Sequence, residues 1–279
     1  MRAQAASSSI VVTVMRALAD GGVTEVRGFS DPTALPMLPP RWRGVTRFLL
    51  ARLRAHPRMA ARMFEASDGK ADLIALRTAA LDAAWHAAQA EGIRQLVVLG
   101  AGLDGRAYRL DDLARATVFE VDHPATQALK RQVAAAMTAK AARHVYVPVD
   151  FERDSLERAL ADAGHRAEET TAWLWEGVTQ YLNPDSTQAT LDAIGRRSAA
   201  GSPVALTYVV PGTPPPPLVL KIAGEPWIGM MGTSAIAERL ARAGMQVVED
   251  TGMREWRARY GASPARQGEV GERIVIATK

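Results

Sequence analysis

An apolar run that ends in a glycine-rich turn constrains the fold of this chain more than any other feature. The run Leu96–Leu99 has the character of a buried parallel strand, and Gly100, Gly102 and Gly105 follow it closely. Glycine gives a tight turn its conformational freedom, and its missing side chain lets a ligand approach the backbone. Ligands of open α/β sheets bind at the carboxyl ends of parallel strands. The turn therefore predicts a ligand site, although the spacing G-x-G-x-x-G also matches a dinucleotide fingerprint.

Downstream of this turn, apolar runs alternate with helical stretches. The predicted strands are 95–99, 117–121, 145–148, 172–175, 203–210, 245–249 and 273–278, and the predicted helices are 124–141, 155–163, 184–199 and 234–243. Such alternation is typical of βαβ units, whose right-handed crossovers produce a mostly parallel sheet. The last two strands form a short pair, which predicts an antiparallel edge at the C-terminal end of an α/β fold.

Residues 1–92 have a different, helical character. Apolar residues recur every three or four positions in 43–54, 59–65 and 71–90, which predicts helices. We therefore expect an N-terminal helical cap over residues 1–92 and a sheet-containing core over residues 93–279, together forming one compact unit. A proline run at 214–217 predicts a stiff, lid-like connection.

Composition narrows the classes of function. The chain has 279 residues, 48% hydrophobic and 23% charged, as in an ordinary soluble globular protein. It contains no cysteine, which excludes disulfides and thiolate metal sites and suits a cytoplasmic protein. Its net charge of +4 comes from scattered arginines without a dense basic block interleaved with aromatic residues, so we expect no nucleic-acid partner. No apolar run approaches the about 20 residues of a membrane span. We therefore expect no membrane partner, and we predict no metal site and no particular oligomeric state.

Four carboxylates stand where successive predicted strands end. They are Asp104, Asp122, Asp150 and Glu176. Because parallel strands end at one edge of a sheet, these side chains should point into one crevice. Asp122 follows Gly102 by about 20 residues, the separation at which an acidic side chain reaches a ribose. Each carboxylate alone could instead cap the helix that follows it.

The presence of four carboxylates at one edge of the sheet helps to decide which ligand binds there. A nicotinamide dinucleotide explains the turn and Asp122, but its pyrophosphate is itself negative and prefers cations and helix N-termini. A ligand with an adenosine half and a cationic half suits Asp150 and Glu176 better. S-adenosylmethionine, with its sulfonium and ammonium groups, is such a ligand.

Several ordered motifs resemble the leucine carboxyl methyltransferase-like family, which includes bacterial S-adenosylmethionine-dependent O-methyltransferases of polyketide and other secondary metabolism. The motifs are 98–110 (VLGAGLDGRAYRL), 120–124 (EVDHP), 147–151 (VPVDF), 175–182 (WEGVTQYL), 224–227 (GEPW) and Arg77-Thr78 with Asp82. The resemblance implies a class I methyltransferase fold, with a Rossmann-like sheet beneath the helical cap.

The resemblance also implies roles on the ribose side of the cofactor. Gly100, Ala101 and Gly102 line its methionine and ribose part, and Asp122 binds the ribose hydroxyls. Gly105 departs from the family pattern, in which threonine is commoner at this position.

Further roles concern the two ends of the cofactor. Asp150 and Phe151 hold the adenine edge and face, Glu176 lies near the amino-acid end, and Arg77 pairs with the carboxylate. Asp104 in the glycine turn is also expected to bind cofactor. The alternative for Arg77 is pairing with Asp72 or Asp82 on a solvated helix face.

The residue types leave the methyl acceptor open. A carboxylate is ionised at neutral pH and needs no base, whereas a hydroxyl needs help in losing its proton. No histidine stands out as a base, and His144 and His165 are expected to face solvent. Tyr181 is the predicted catalytic residue, because its hydroxyl could orient an acceptor oxygen.

We predict O-methylation of a carboxylate or hydroxyl of a small molecule. The alternatives are methylation of a protein C-terminal carboxylate, a non-catalytic S-adenosylmethionine-binding protein, and a nicotinamide oxidoreductase.

Overall fold

A computed structural model describes residues 7–66, 72–213, 226–263 and 271–279. Its strands are β1 Gln95–Leu99, β2 Thr117–Asp122, β3 Arg143–Pro148, β4 Thr171–Trp175, β5 Pro203–Val209, β6 Gln246–Gly252 and β7 Glu272–Thr278. Its helices are α1 Ser7–Asp20, α2 Ala34–Met37, α3 Pro40–Ala55, α4 Pro57–Ala66, α5 Asp72–Ala90, α6 Arg106–Arg109, α7 Pro124–Val133, α8 Leu156–Asp162, α9 Pro184–Arg196, α10 Thr233–Arg242 and α11 Met253–Tyr260, with 3₁₀ turns at Asp111–Arg115 and Thr179–Tyr181. The predicted lid-like connection at 214–217 lies outside the described residues.

The seven described strands form one sheet in the order β3-β2-β1-β4-β5-β7-β6. Strands β1 to β5 pair in parallel, and β7 runs antiparallel between β5 and β6. The predicted mostly parallel sheet with an antiparallel C-terminal edge is thus confirmed. Every residue of β1 and of β4 is buried, as expected for strands covered on both faces.

Helices cover both faces of the sheet. One face packs Leu76, Leu81 and Trp85 of α5 against alternate residues of β1 and β2. The other packs Leu191 and Ile194 of α9 against the residues in between. Since side chains alternate across a strand, each strand supplies both layers of core.

Local sequence signals explain where the crossover helices begin. Asn183 accepts a hydrogen bond from the backbone of Ser186 at 2.8 Å, and Pro184 occupies the first turn of α9. The helix predicted to reach residue 141 ends at Val133. There the chain turns back, and the N–H of Lys140 bonds to the carbonyl of Ala107 at 2.8 Å.

The N-terminal helices contact the core next to the glycine turn. The Arg16 side chain of α1 donates to the carbonyl oxygen of Leu103 at 2.6 Å. The division between a cap (1–92) and a core (93–279) stays a prediction. Among the helices in the described ranges, none combines the length and apolar character required to cross a bilayer.

Candidate functional site

The glycine turn joins β1 to the short helix α6. Gly100 and Gly102 have φ values of +65° and +47°, in the left-handed region that glycine adopts without strain. A side chain on Gly100 would overlap Val178, and one on Gly102 would press against Ser9 of α1. The turn is therefore closely covered by α1 on one side and by the loop after β4 on the other.

Asp122 at the end of β2 binds the glycine turn. Its carboxylate accepts hydrogen bonds from the backbone N–H groups of Gly102 and, at 2.6 Å, of His123. Among the described residues no lysine, arginine or histidine forms an ion pair with it. Burial raises the pKa of Asp122. Each oxygen of the Asp122 carboxylate accepts only one of these hydrogen bonds, so each can accept a further one.

Asp150 and Phe151 lie in the loop after β3. One Asp150 oxygen accepts from the N–H of Glu152 at 3.1 Å, and the other lies 3.9 Å from Nε of Arg153. Asp150 thus also shapes its own loop, as the capping alternative expects. The ring of Phe151 stacks on Trp175 with a centroid distance of 6.5 Å.

Glu176 at the end of β4 lies between two buried arginines. Its Oε1 is 2.9 Å from Nε of Arg77, and its Oε2 is 2.8 Å from Nη1 of Arg106. Burial by itself would raise the pKa of Glu176, but Arg106 and Arg77 lower it overall. Glu176 therefore carries a full negative charge at neutral pH.

Arg77 is held by a carboxylate that the sequence did not single out. Its Nη1 is 2.9 Å from Oε1 of Glu272 in β7, and its guanidinium packs on Gly177. Arg77 is 5% exposed, and it pairs with neither Asp72 nor Asp82. The alternative of a solvated neighbour pairing is therefore wrong.

Asp104 uses both of its oxygens locally. One accepts from the backbone N–H of Arg106 at 2.6 Å, and the other binds the Arg106 guanidinium. Burial would raise the pKa of Asp104, but Arg106, together with Lys130 and Arg16, lowers it well below the usual value. The contact between Asp104 and the cofactor stays a prediction. In the structure, Asp104 holds the Arg106 side chain in place.

A chain of ion pairs continues from the site into the N-terminal helices. Asp82 of α5 binds Arg106 at 2.7 Å and Arg109 at 2.6 Å, and Asp31 binds Arg16 at 2.9 Å. Nε of Arg109 lies 3.8 Å from Asp31 and so joins the two pairs. No local sequence pattern indicates the partners of Asp31, because Arg16 and Arg109 are not its neighbours along the chain.

The departure from the family at Gly105 has a steric explanation. Gly105 has a φ of −102°, which any residue adopts. A side chain there would overlap the hydroxyl of Thr33, which donates to Asp31 at 2.5 Å. Gly105 therefore provides room for Thr33 rather than flexibility for the turn.

Tyr181 lies half-buried on the 3₁₀ turn after β4, five residues beyond Glu176. The segment from Trp227 to Gly229 packs against this turn, with the N–H of Ile228 bonded to the carbonyl of Gln180 at 2.8 Å. Tyr208 is fully buried and donates to Asp250 at 2.6 Å, so it belongs to the core. The role of Tyr181 toward an acceptor stays a prediction.

Four of the five described histidines have partners away from an acceptor, and the fifth, His56, is exposed. His123 accepts from the N–H of Ala125 and caps α7, and His86 pairs with Asp112. His144 is paired with Glu120 at 3.1 Å, and His165 is buried beside Thr171. The expectation that His144 and His165 face solvent is wrong, because both point into packed surroundings. Within the ranges described above, no group of three His, Asp or Glu side chains could hold a metal ion.

Comparisons with known proteins relate this chain to S-adenosylmethionine-dependent methyltransferases. The sequence profile described as leucine carboxyl methyltransferase matches residues 9–195. A Frankia alni protein, named as an S-adenosyl-L-methionine-dependent methyltransferase, is 34% identical over 74% of this chain and 73% of its own length. A similarly named Mycobacterium marinum protein is 44% identical over 48% of this chain and 43% of its own length. The match thus spans less than half of the second relative.

A solved structure supports the fold. An O-methyltransferase family protein from Burkholderia thailandensis superposes with a TM-score of 0.51 at 15% identity, over 81% of this chain and 61% of that one. The alternative of a nicotinamide oxidoreductase is overturned by the family match. The chain belongs to the leucine carboxyl methyltransferase family of S-adenosylmethionine-dependent methyltransferases.

Proposed function

We propose that this protein transfers a methyl group from S-adenosylmethionine to an oxygen atom of a small molecule, a carboxylate or hydroxyl of a secondary metabolite. The observation that carries the proposal is the surplus of negative charge where β1 to β4 end. Among the described residues Asp122 has no ion-pair partner, Asp150 pairs only loosely with the exposed Arg153 at 3.9 Å, and Glu176 shares its two arginines with three other carboxylates. A cationic ligand would offset this surplus.

The side chains present fit this cofactor. Asp122 has acceptor capacity left for ribose hydroxyls, and the half-buried ring of Phe151 offers a flat apolar surface for adenine beside the Asp150 carboxylate. Glu176 would attract the ammonium group and Arg77 the carboxylate at the amino-acid end. Ala101 and the glycines beside it would line the methionine chain.

Methyl transfer requires mainly that the acceptor oxygen is aligned with the methyl group. When bound, S-adenosylmethionine supplies an electrophilic methyl group on its sulfonium. Holding an acceptor oxygen in line with it can contribute about 7–11 kcal/mol to the acceleration. We assign this orientation to the Tyr181 hydroxyl. Because the buried or partly buried histidines have other partners, we propose that the acceptor reacts in its ionised form.

The test is methyl transfer from labelled S-adenosylmethionine to a panel of carboxylic acids and phenols. Mild base releases label from a methyl ester as methanol but leaves a methyl ether intact, so the product identifies the acceptor class. Changing Tyr181→Phe should lower kcat by about tenfold while the Kd of S-adenosylmethionine stays unchanged. Tight cofactor binding without transfer to any acceptor would favour a non-catalytic binding protein.

A second candidate, methylation of a protein C-terminal carboxylate, is supported by the description of the family. This function would be identified by a base-labile label that elutes with the polypeptide on gel filtration. Label that elutes with the small acceptors would contradict it.

A further inference from the structure

The helix α3 presents an unpartnered apolar face. Its inward side buries Thr46, Leu50 and Leu53. The opposite side exposes residues spaced three or four apart, which helical geometry brings to one surface. This surface, the α3 face, consists of Gly44, Val45, Phe48, Ala51 and Ala55, with Val45 62% and Phe48 67% exposed.

Arginines flank the α3 face and continue onto α4. Residues 40–64 contain seven arginines and no aspartate or glutamate, whereas the whole chain has a net charge of only +4, so the remainder is net acidic. Arg52 stacks on the ring of Phe48 at 5.9 Å, and Arg43 binds the carbonyl oxygens of Pro36 and Leu38. The other five form no ion pair with the carboxylates of the described ranges; they are Arg41, Arg47, Arg54, Arg58 and Arg62.

The sequence contains no dense basic block interleaved with aromatic residues, and the expectation of no nucleic-acid partner stays a prediction. The arginines stand two to five residues apart along the chain, so no dense run is visible. In the fold Arg52 lies over the ring of Phe48, and Trp42 of α3 and Met59 of α4 are 46% and 43% exposed.

We propose that the α3 face and its arginines dock the protein on an anionic lipid surface. An interfacial helix of this kind combines exposed aromatic and aliphatic side chains with arginine or lysine. Anionic headgroups attract the basic side chains, while the apolar side chains enter the boundary below them. Such docking requires no membrane-spanning helix, so the lack of one among the described helices does not bear on it.

The composition of the α3 face favours lipid over the other anionic partners. Apart from the exposed indole of Trp42, Thr46 is the one neutral hydrogen-bonding side chain of α3, and it is buried. The exposed side chains of α3 therefore combine arginines with Trp42, Val45 and Phe48, the composition of helices that lie at a lipid interface. A second copy would bring like charges together, and a nucleic acid would leave Val45 and Phe48 in water.

Docking in this way leaves the candidate site intact. The inward side of α3 packs on α1 and α2, which contact the glycine turn through Arg16 and Thr33. The outward α3 face shares no residue with those contacts. The proposal therefore stands or falls independently of the methyl acceptor.

The experiment is sedimentation of the whole protein with vesicles of phosphatidylcholine, with or without about 30% phosphatidylglycerol. We expect binding to the anionic vesicles at about 0.05 M NaCl, weakened about tenfold by about 0.5 M NaCl or by omitting phosphatidylglycerol. Fluorescence should shift to the blue on binding, and Trp42→Phe should abolish the shift, because Trp42 is exposed whereas Trp227 is partly buried and Trp85, Trp173, Trp175 and Trp256 are fully buried.

Matched variants separate the contribution of the apolar side chains to binding from that of the arginines. Val45→Ser with Phe48→Ser should weaken binding about tenfold, whereas Val248→Ser, which alters an apolar residue 68% exposed on β6, should not. Arg47→Gln with Arg52→Gln should also weaken it, while Arg254→Gln, 87% exposed on α11, serves as the control. Circular dichroism checks that each variant is folded.

Four results would overturn the proposal. They are no vesicle binding, equal binding by the Val45 and Phe48 double variant, equal loss in the controls, and a dimer in ultracentrifugation that this double variant dissociates. A DNA duplex bound as tightly as the anionic vesicles would likewise point to charge alone.

Discussion

The carboxylate of Asp122, the last residue of β2, accepts a hydrogen bond from the backbone N–H of Gly102 in the turn after β1. They meet because β1 and β2 pair in parallel, with Leu99 beside Val121. Asp122 therefore has two tasks, fixing the shape of the glycine turn and presenting acceptor oxygens beside it.

The first prediction concerns this carboxylate. Asp122→Asn keeps an oxygen for the Gly102 N–H but removes the charge and one acceptor. A hydrogen bond to a charged group contributes about 1.5–3 kcal/mol, so the Kd of S-adenosylmethionine should rise about tenfold or more in isothermal titration. Asp162→Asn, on the exposed side of α8, is the control. An unchanged Kd would remove Asp122 from the ribose role.

Arg77 is tested with two ligands. Arg77→Lys keeps the charge but cannot reach Glu176, Glu272 and a ligand carboxylate together. Binding of S-adenosylmethionine should weaken about tenfold, while binding of 5′-methylthioadenosine, which lacks the amino-acid group, should not change. Equal weakening of both would mean that Arg77 only supports the fold. Arg257→Lys, another buried arginine, controls for general loss of stability.

Gly105 and Thr33 should be energetically coupled. Gly105→Ala places a methyl group on the Thr33 hydroxyl and should destabilise the protein by about 1–3 kcal/mol. Adding Thr33→Ala removes the closest contact, with the hydroxyl, and leaves the Cβ of residue 33 at 3.0 Å, so the double variant should recover at least about 1 kcal/mol relative to the sum of the single changes. Urea unfolding of the four proteins measures this coupling. Additive effects would contradict the packing explanation.

His165 makes the fold sensitive to acid. Arg197 donates to its Nδ1 at 3.0 Å, so this nitrogen accepts, and Nε2–H donates to Thr171. Burial, together with Arg197, lowers the pKa of His165 to about 4 from 6.5. Because the folded state binds this proton less readily than the unfolded chain, its contribution is complete above pH 6.5 and is lost as the pH falls toward 4.

The measurement compares urea unfolding at about pH 7.5 and about pH 4.5. The parent protein should lose about 2.5 kcal/mol more than His165→Gln over this interval. His56→Gln, at an exposed position, should behave like the parent. Parallel losses in the parent and in His165→Gln would show that His165 is protonated as easily in the folded state as in the unfolded chain.

The strands could be predicted from the sequence because they are buried and apolar. The positions of the four carboxylates could be predicted because the apolar runs end abruptly at them. The sequence did not predict Glu272, which lies in β7 and meets Arg77 only because β7 is inserted next to β5. Nor did it predict the pairing of Asp31 with Arg16. Such contacts depend on how elements pack, and no local pattern encodes them.

The inserted strand β7 also sets an order of assembly. During translation Arg77 is synthesised long before Glu272. Arg77 therefore lacks one of its two carboxylate partners until the end of the chain has been made. Strand β6, made before β7, has no neighbour in the sheet until β7 arrives between it and β5. The pairing of Arg77 with Glu272 is therefore completed in the same late step that joins β6 to the sheet, and a nascent chain ending before residue 272 lacks both.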